Sequence, residues 1–146
     1  GNDAPTAVAA AVTVAEDGTV VPNKDLTLDP PAVRCYAYCS DTAFAPELVE
    51  YLRGVDLLYH EATFTEELAD RAKETCHSTA KQAAMMASSA GVVQLLLGHF
   101  SSRYKDNRVL LAEALSIFPE TILADEGRTF RIDQRTTVEN SDLEVT

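Results

Sequence analysis

Ionisable side chains follow successive predicted strands of this sequence at the points where the strands end. Asp41 follows the first strand, the pair His60-Glu61 follows the second, and His99 follows the third. In α/β folds the crevice at the carboxyl ends of the strands is where ligands bind. Each residue taken singly fits a cap, a turn or a solvated loop. Two histidines, an aspartate and a glutamate at one edge together predict a metal or acid–base site.

The elements that must position these residues alternate along the chain. Apolar runs typical of strands are predicted at Val33–Cys39, Val55–Tyr59, Val92–Leu97, Thr121–Ala124 and Thr129–Ile132. Helices are predicted at Glu47–Arg53, from Thr63 to about Lys73, from Thr79 to Ala90, and at about Arg108–Phe118. The order β-α-β-α-α-β-α-β-β predicts an α/β layer structure.

Local signals mark where two of these helices begin. Thr63–Glu66 and Thr79–Gln82 both match the capping box, in which a threonine side chain and a Glu or Gln three residues later satisfy free backbone N–H groups. The second helix carries a stripe of alanines at helical spacing and ends before Gly91. Small residues on this stripe predict close packing of the helix against a sheet.

Composition limits the class of protein. The 146 residues include 23 acidic and 12 basic side chains, a formal net charge of −11, which argues against a protein that coats nucleic acid. No apolar run approaches the roughly 20 residues of a membrane span, so no membrane association is expected. The 3 cysteines form no CxxC pair, which argues against a disulfide framework and favours a reducing cytoplasm.

Four short motifs occur in a specific order, and they begin at Tyr38 (YCSDT), His60 (HEAT), His77 (HST) and Gly98 (GHFSSRY). Together they resemble the C-terminal half of ribonuclease Z, the tRNA 3′-processing endonuclease of the metallo-β-lactamase superfamily. The resemblance runs from about residue 36 to residue 132. It implies a zinc-dependent enzyme that removes the 3′ trailer of precursor tRNA and leaves a 3′-hydroxyl.

The resemblance also implies roles for individual residues. Asp41 matches the carboxylate that bridges two zinc ions, and His99 matches a ligand of one of them. His77 matches the histidine that protonates the leaving 3′-oxygen, and Glu61 matches the acid that orients it. These assignments are chemically consistent, because a carboxylate has two oxygens for two metal ions whereas an imidazole binds one through one nitrogen.

Further residues of the motifs are expected near the substrate. Ser101, Arg103, Ser78 and Thr79 are interpreted as contacts to the RNA, since they belong to the matched motifs. His60 is interpreted as support for the metal site, with a structural role in the turn as an equal alternative.

One hallmark of the resembled family is absent from this sequence. The HxHxDH motif, which supplies most zinc ligands, does not occur among the 146 residues, and only 3 histidines are present. The family's αββα sandwich has two similar halves, so we expect one half here: a mixed sheet with helices on one face. We interpret the chain as a truncated form, a proteolytic fragment or one piece of a split protein, inactive alone.

The expected organisation has three parts. Residues 1–31 are interpreted as a partly mobile segment after a missing tRNA-binding arm, residues 32–133 as the half-domain, and residues 134–146 as an exposed tail. Without its other half, the sheet is expected to pair with a second copy as a homodimer. Two alternatives remain open: another phosphodiesterase of the same fold, or a non-catalytic half-domain that only folds and dimerises.

Overall fold

The computed structural model describes residues 13–14, 20–21 and 33–132. The chain divides into two units, residues 1–32 and 33–146. In the first unit, strands β1 (Thr13–Val14) and β2 (Val20–Val21) form an antiparallel pair. The expected mobility of residues 1–31 and the expected tail at 134–146 otherwise fall on residues outside those described.

A four-stranded sheet organises the second unit. Its strands are β3 (Tyr36–Cys39), β4 (Leu57–Glu61), β5 (Gln94–Gly98) and β6 (Thr121–Leu123), and they lie side by side in chain order. All three pairings are parallel, so the predicted α/β class is confirmed, but a mixed sheet is not observed in residues 33–132.

The strand predicted at Thr129–Ile132 is wrong: these residues form no strand in the described part of the chain. Arg131 and Ile132 instead line a shallow cavity with Asp56 and Leu57.

Strands β4 and β5 begin two residues later than predicted. The N–H of Val55 donates to the carbonyl of Leu52, and the N–H of Val92 donates to the carbonyl of Ala87, so both valines belong to the ends of the preceding helices. As a result His60 and Glu61 lie inside β4 rather than after it.

Four α-helices connect the strands. They are α1 (Val49–Leu52), α2 (Ala69–Glu74), α3 (Ala80–Ala90) and α4 (Arg108–Leu115). Single 3₁₀ turns at Pro46–Leu48 and Glu66–Leu68 precede α1 and α2, which makes these two helices shorter than predicted. None of the helices in the described residues has the length and apolarity needed to cross a membrane.

The two predicted capping boxes have different outcomes. At α3 the box is confirmed: Thr79 accepts from the N–H of Gln82, and the Gln82 side chain accepts from the N–H of Thr79. The prediction of a capping box at Thr63 is wrong, because the Thr63 hydroxyl lies 2.7 Å from a carboxylate oxygen of Glu61 and does not cap a helix.

The alanine stripe of α3 forms the centre of the core. Its alanines at positions 80, 83, 84, 87 and 90 are all buried, and they pack in one cluster with Leu58 of β4 and with Leu95 and Leu97 of β5. Small side chains let the helix approach the sheet closely, and Gly91 ends it with a left-handed φ of 62°. The core thereby fixes the carboxyl ends of β4 and β5 relative to the start of α3.

Tyrosines occupy positions that alternate with this core-facing set along β3 and β4. Tyr36 and Tyr38 are exposed, and the Tyr38 ring stacks on Tyr59 with ring centres 4.6 Å apart. Gly98 lies directly against Tyr59, and a Cβ atom at position 98 would overlap the Tyr59 ring. Tyr59 therefore requires glycine at the end of β5.

Candidate functional site

Four ionisable side chains converge at the carboxyl ends of the strands. Asp41 follows β3, Glu61 ends β4, His77 precedes α3 and His99 follows β5. One ligand atom from each of these residues lies within 4.8 Å of the corresponding atom of every other. We call these four residues the acid–histidine cluster. Asp41, Glu61 and His99 therefore converge as their positions at the strand ends predict, whereas the second histidine of the cluster is His77 and not His60.

Three non-glycine residues of the described chain have a left-handed backbone, and all three are in the cluster or next to it. Their φ values are 56° at Asp41, 58° at Cys76 and 55° at His99. For an L-residue this conformation costs about 1–2 kcal/mol, and it persists where the surrounding structure enforces it. Asp41 and His99 thus end their strands abruptly, and Cys76 turns the chain immediately before His77.

Glu61 is fully buried, and both of its carboxylate oxygens have donors. One oxygen accepts from the N–H of Thr42, and the other lies 3.1 Å from the N–H of Ser78 and 2.7 Å from the Thr63 hydroxyl. Burial raises the pKa of Glu61, but the hydrogen bonds from Thr63, Ser78, Thr42 and His77 outweigh it and hold the pKa below its usual range. Glu61 is therefore an anion whose oxygens are already occupied.

His77 is the partner of Glu61 in the cluster. Its Nδ1 lies 3.0 Å and 3.2 Å from the two Glu61 oxygens and 3.6 Å from Asp41 Oδ1. An ionised carboxylate can only accept hydrogen bonds, so Nδ1 carries the proton in this pair. This arrangement leaves Nε2 as the His77 nitrogen available to a ligand.

Thr63 is a residue of the site whose role the sequence reasoning missed. Its hydroxyl lies 2.7 Å from Glu61 Oε2 and 3.0 Å from the carbonyl oxygen of His99, so it links the ends of β4 and β5. Its place in the HEAT motif was the available signal. The match of the same residue to a capping box led to the wrong prediction.

Three predicted site residues have side-chain polar atoms that form hydrogen bonds inside the protein. His60 is buried, and its Nδ1 hydrogen-bonds the carbonyl oxygen of Glu61 at 2.8 Å. The hydroxyl of Ser78 donates to the carbonyl of Thr42, and the hydroxyl of Thr79 donates to Glu66 while capping α3. These contacts hold all three side chains in the fold, and the roles predicted for them at the RNA and the metal site stay predictions.

Ser101 and Arg103 lie at the accessible rim of the cluster. The Arg103 guanidinium lies 5.1 Å from the centre of the Phe64 ring, and Phe64 meets the His77 ring edge-on at 6.1 Å. Ser101 lines a cavity of about 500 Å³ together with His99. An exposed guanidinium beside the cluster is suited to a phosphate group, because it presents several N–H donors and a permanent charge.

The donor chemistry of the cluster fits zinc in part. The side chain of Asp41 is 80% exposed and that of His99 is 42% exposed, and carboxylate and imidazole are ordinary zinc ligands. Glu61 could bind a metal ion only by giving up its hydrogen bonds. Catalytic zinc sites usually have three protein ligands, so a site that uses Asp41 and His99 and leaves His77 to other partners needs ligands from outside the described residues.

Comparison with known proteins gives sequence matches of high identity. The chain is 60% identical to ribonuclease Z of Bacteroides fragilis over 116 residues, which is 78% of the chain and 38% of that protein. It is 51% identical to ribonuclease Z of Bacteroides thetaiotaomicron over 129 residues, 88% of the chain and 41% of that protein. The chain thus spans about two fifths of the length of these curated relatives.

Solved structures agree on the fold. The metallo-β-lactamase fold protein YhfI of Bacillus subtilis matches 59% of the chain and 34% of its own length, with a TM-score of 0.54 at 23% identity. A long-form RNase Z from yeast matches 60% of the chain and 12% of its own length, with a TM-score of 0.50 at 30% identity. No family model matches the chain. The resemblance stated from the four motifs is confirmed.

Proposed function

We propose, on the premise that this chain is similar to part of ribonuclease Z, that it supplies half of the active site of a zinc-dependent endoribonuclease. The proposed reaction removes the 3′ trailer of precursor tRNA and leaves a 3′-hydroxyl. The observation that carries the proposal is the acid–histidine cluster, in which two exposed ligand-type side chains adjoin a buried Glu–His pair.

Each side chain of the cluster has a distinct role in this proposal. Asp41 and His99 would hold metal, and bound zinc supplies an activated water and stabilises negative charge on the phosphate. Glu61 keeps Nδ1 of His77 protonated and fixes the orientation of the ring. In the doubly protonated ring, with Nδ1–H held by Glu61, His77 presents Nε2–H to the leaving 3′-oxygen and transfers that proton to it, which is general acid catalysis and leaves the neutral ring. Arg103 neutralises a phosphate oxygen at the rim.

The division of roles can be tested in a chimera. The matching segment of Bacteroides fragilis ribonuclease Z is replaced by this chain, and cleavage of a precursor tRNA and bound metal are both measured. Asp41→Ala should remove tight metal binding and cleavage together. His77→Ala should retain the metal and lower the rate of the chemical step by about 10²–10⁴-fold, the usual contribution of general acid catalysis.

Two results would contradict the proposal. Equal loss of metal in both variants, measured by elemental analysis after gel filtration, would refute the separation of ligand from proton donor. A metal-loaded chimera that hydrolyses bis(p-nitrophenyl) phosphate but not precursor tRNA would favour another phosphodiesterase activity. The chain without a partner half is expected to cleave neither substrate, because it offers too few zinc ligands.

A further inference from the structure

A second cavity adjoins the acid–histidine cluster on the side of His77. Its volume is about 360 Å³, within the range of small-molecule sites. His77 forms part of its wall, so a group in the cavity would lie beside the reacting side chain. The other lining residues are Ala43, Phe44, Ala69, Asp70, Lys73 and Gln82. We call this space the His77 cavity.

The apolar part of the His77 cavity suits a flat ring. Phe44 is only partly buried, so it adds an aromatic surface to the lining, while Ala43 and Ala69 leave room because their side chains are single methyl groups. Stacking on an aromatic side chain is the common way in which proteins hold an unpaired nucleic-acid base.

The polar part of the cavity has a donor with a fixed orientation. Oε1 of Gln82 accepts from the N–H of Thr79 at 2.9 Å as part of the capping box of α3. The box therefore fixes the amide, and its Nε2 donor is left for other partners. Asp70 adds an acceptor and Lys73 a cation to the lining, and both are exposed. Donor and acceptor groups around a stacking surface match the edge of a nucleobase.

We propose that the His77 cavity is a nucleobase subsite, which takes one unstacked base of the RNA strand next to the phosphate that is cleaved. A free phosphate alone is a poorer match, because Asp70 lines the same space and most of the remaining wall is apolar or neutral. The inference extends the proposed function by describing how the RNA is held beside His77. The identification of the bound molecule as RNA rests on that proposed function.

Nuclear magnetic resonance titration of the 146-residue chain tests the subsite without any catalysis. The probes are adenosine and uridine 5′-monophosphates, with ribose 5-phosphate as the probe that lacks a base. Both nucleotides should shift the backbone amide signals of Phe44, Lys73 and Gln82, and ribose 5-phosphate should not. Equal shifts with ribose 5-phosphate would overturn the proposal in favour of an anion contact at Lys73.

A filled cavity gives the second test. Ala69→Leu places a larger side chain in the lining and should weaken nucleotide binding by about tenfold or more, the scale of losing a stacked base. The matched control is Ala112→Leu on the exposed surface of α4, outside the cavity, which should bind as the parent chain does. Unchanged binding in Ala69→Leu would refute the subsite.

The two proposals fail in different experiments. In the chimera, Ala69→Leu should raise KM for precursor tRNA, whereas Ala112→Leu should not. If the chimera cleaves RNA and Ala69→Leu leaves KM unchanged, the subsite is wrong and the proposed function stands. If the chimera cleaves no RNA, the proposed function fails, and the nucleotide titration still decides whether the cavity binds a base.

Discussion

Glu61 combines complete burial with a negative charge, which is costly unless donors surround the carboxylate. Two backbone N–H groups, a hydroxyl and an imidazole N–H fill this role, and they come from four separate positions in the sequence. The carboxylate therefore connects β4 to the segments after β3 and before α3. The residue that is proposed to orient His77 is thus at the same time a structural centre of the site.

We expect Glu61→Gln to lower the free energy of unfolding by about 1–3 kcal/mol. One of the two carboxylate oxygens becomes an NH₂ group, which must face a backbone or side-chain donor instead of accepting from it. Urea denaturation measures the change, with the exposed Glu74→Gln as the matched control. Equal stability of the two variants would show that the donors around Glu61 do not require the charge.

His60 predicts a pH dependence of stability. Burial lowers the pKa of His60 below its ordinary value of 6.5, although the hydrogen bond to the Glu61 carbonyl opposes the shift. Below pH 6.5 His60 is therefore protonated more readily in the unfolded chain than in the folded chain. The free energy of unfolding consequently falls as the pH drops. The loss of stability that comes from Glu61 begins at lower pH, below the ordinary pKa of 4.5, because the pKa of Glu61 in the folded chain is depressed.

The measurement is urea denaturation of the chain and of His60→Gln at pH 7 and pH 5. The glutamine amide can still donate to the Glu61 carbonyl but does not titrate. We expect the stability of the chain to fall between the two pH values, and the fall to be smaller in His60→Gln. An identical pH dependence in both proteins would refute the assignment.

At the scale of elements, the end of α2 has an unusual residue. The N–H of His77 donates to the carbonyl of Ala72 at 2.8 Å and that of Cys76 to the carbonyl of Lys73, the hydrogen bonds of a Schellman motif. Its left-handed position is normally glycine, but Cys76 occupies it with a φ of 58°. The strained turn determines where His77 leaves the helix.

Cys76→Gly should raise the free energy of unfolding by about 1 kcal/mol, because glycine adopts positive φ without a Cβ conflict. Cys76→Val should lower it, since a β-branched residue is a severe outlier in this region. Urea denaturation provides the comparison. Cys35→Gly is the control at another exposed cysteine, whose φ is not positive, and should bring no gain. A gain of similar size at both positions would rule out backbone strain as the cause.

Features that depend on residues within one element were predictable from the sequence, whereas features that depend on contacts between elements were mostly not. The box at Thr79 and the alanine stripe were predictable, because both depend on residues within one helix. The box at Thr63 failed because the buried charge of Glu61, a contact formed by the sheet, competes for the same hydroxyl. The His77 cavity was not predictable, because Phe44 and Lys73 come to line one space only after the segments that follow β3 and form α2 and α3 are packed. The convergence of Asp41 and His99 was predictable because parallel strands share their carboxyl edge.

At the scale of the whole molecule, the predicted homodimer remains a prediction. Tyr36 and Tyr38 are the exposed aromatic residues of β3, whereas Leu57 and Leu96 of the neighbouring strands are only 4% and 5% exposed. Pairing through this surface would therefore depend on the two tyrosines. Light scattering should give the mass of a dimer for the chain and of a monomer for Tyr38→Glu, with Tyr51→Glu as the exposed control. A parent chain that stays monomeric would refute the pairing.

The stacked pair Tyr38–Tyr59 gives the molecule an optical signature of its own. The sequence has 5 tyrosines and no tryptophan, so near-ultraviolet circular dichroism reports mainly on tyrosine rings held in fixed surroundings. In this pair the rings are inclined by 13°, and Gly98 of β5 lies against Tyr59. The near-ultraviolet band therefore distinguishes a sheet with β3, β4 and β5 locked in register from a loosely collapsed chain, without an added fluorophore.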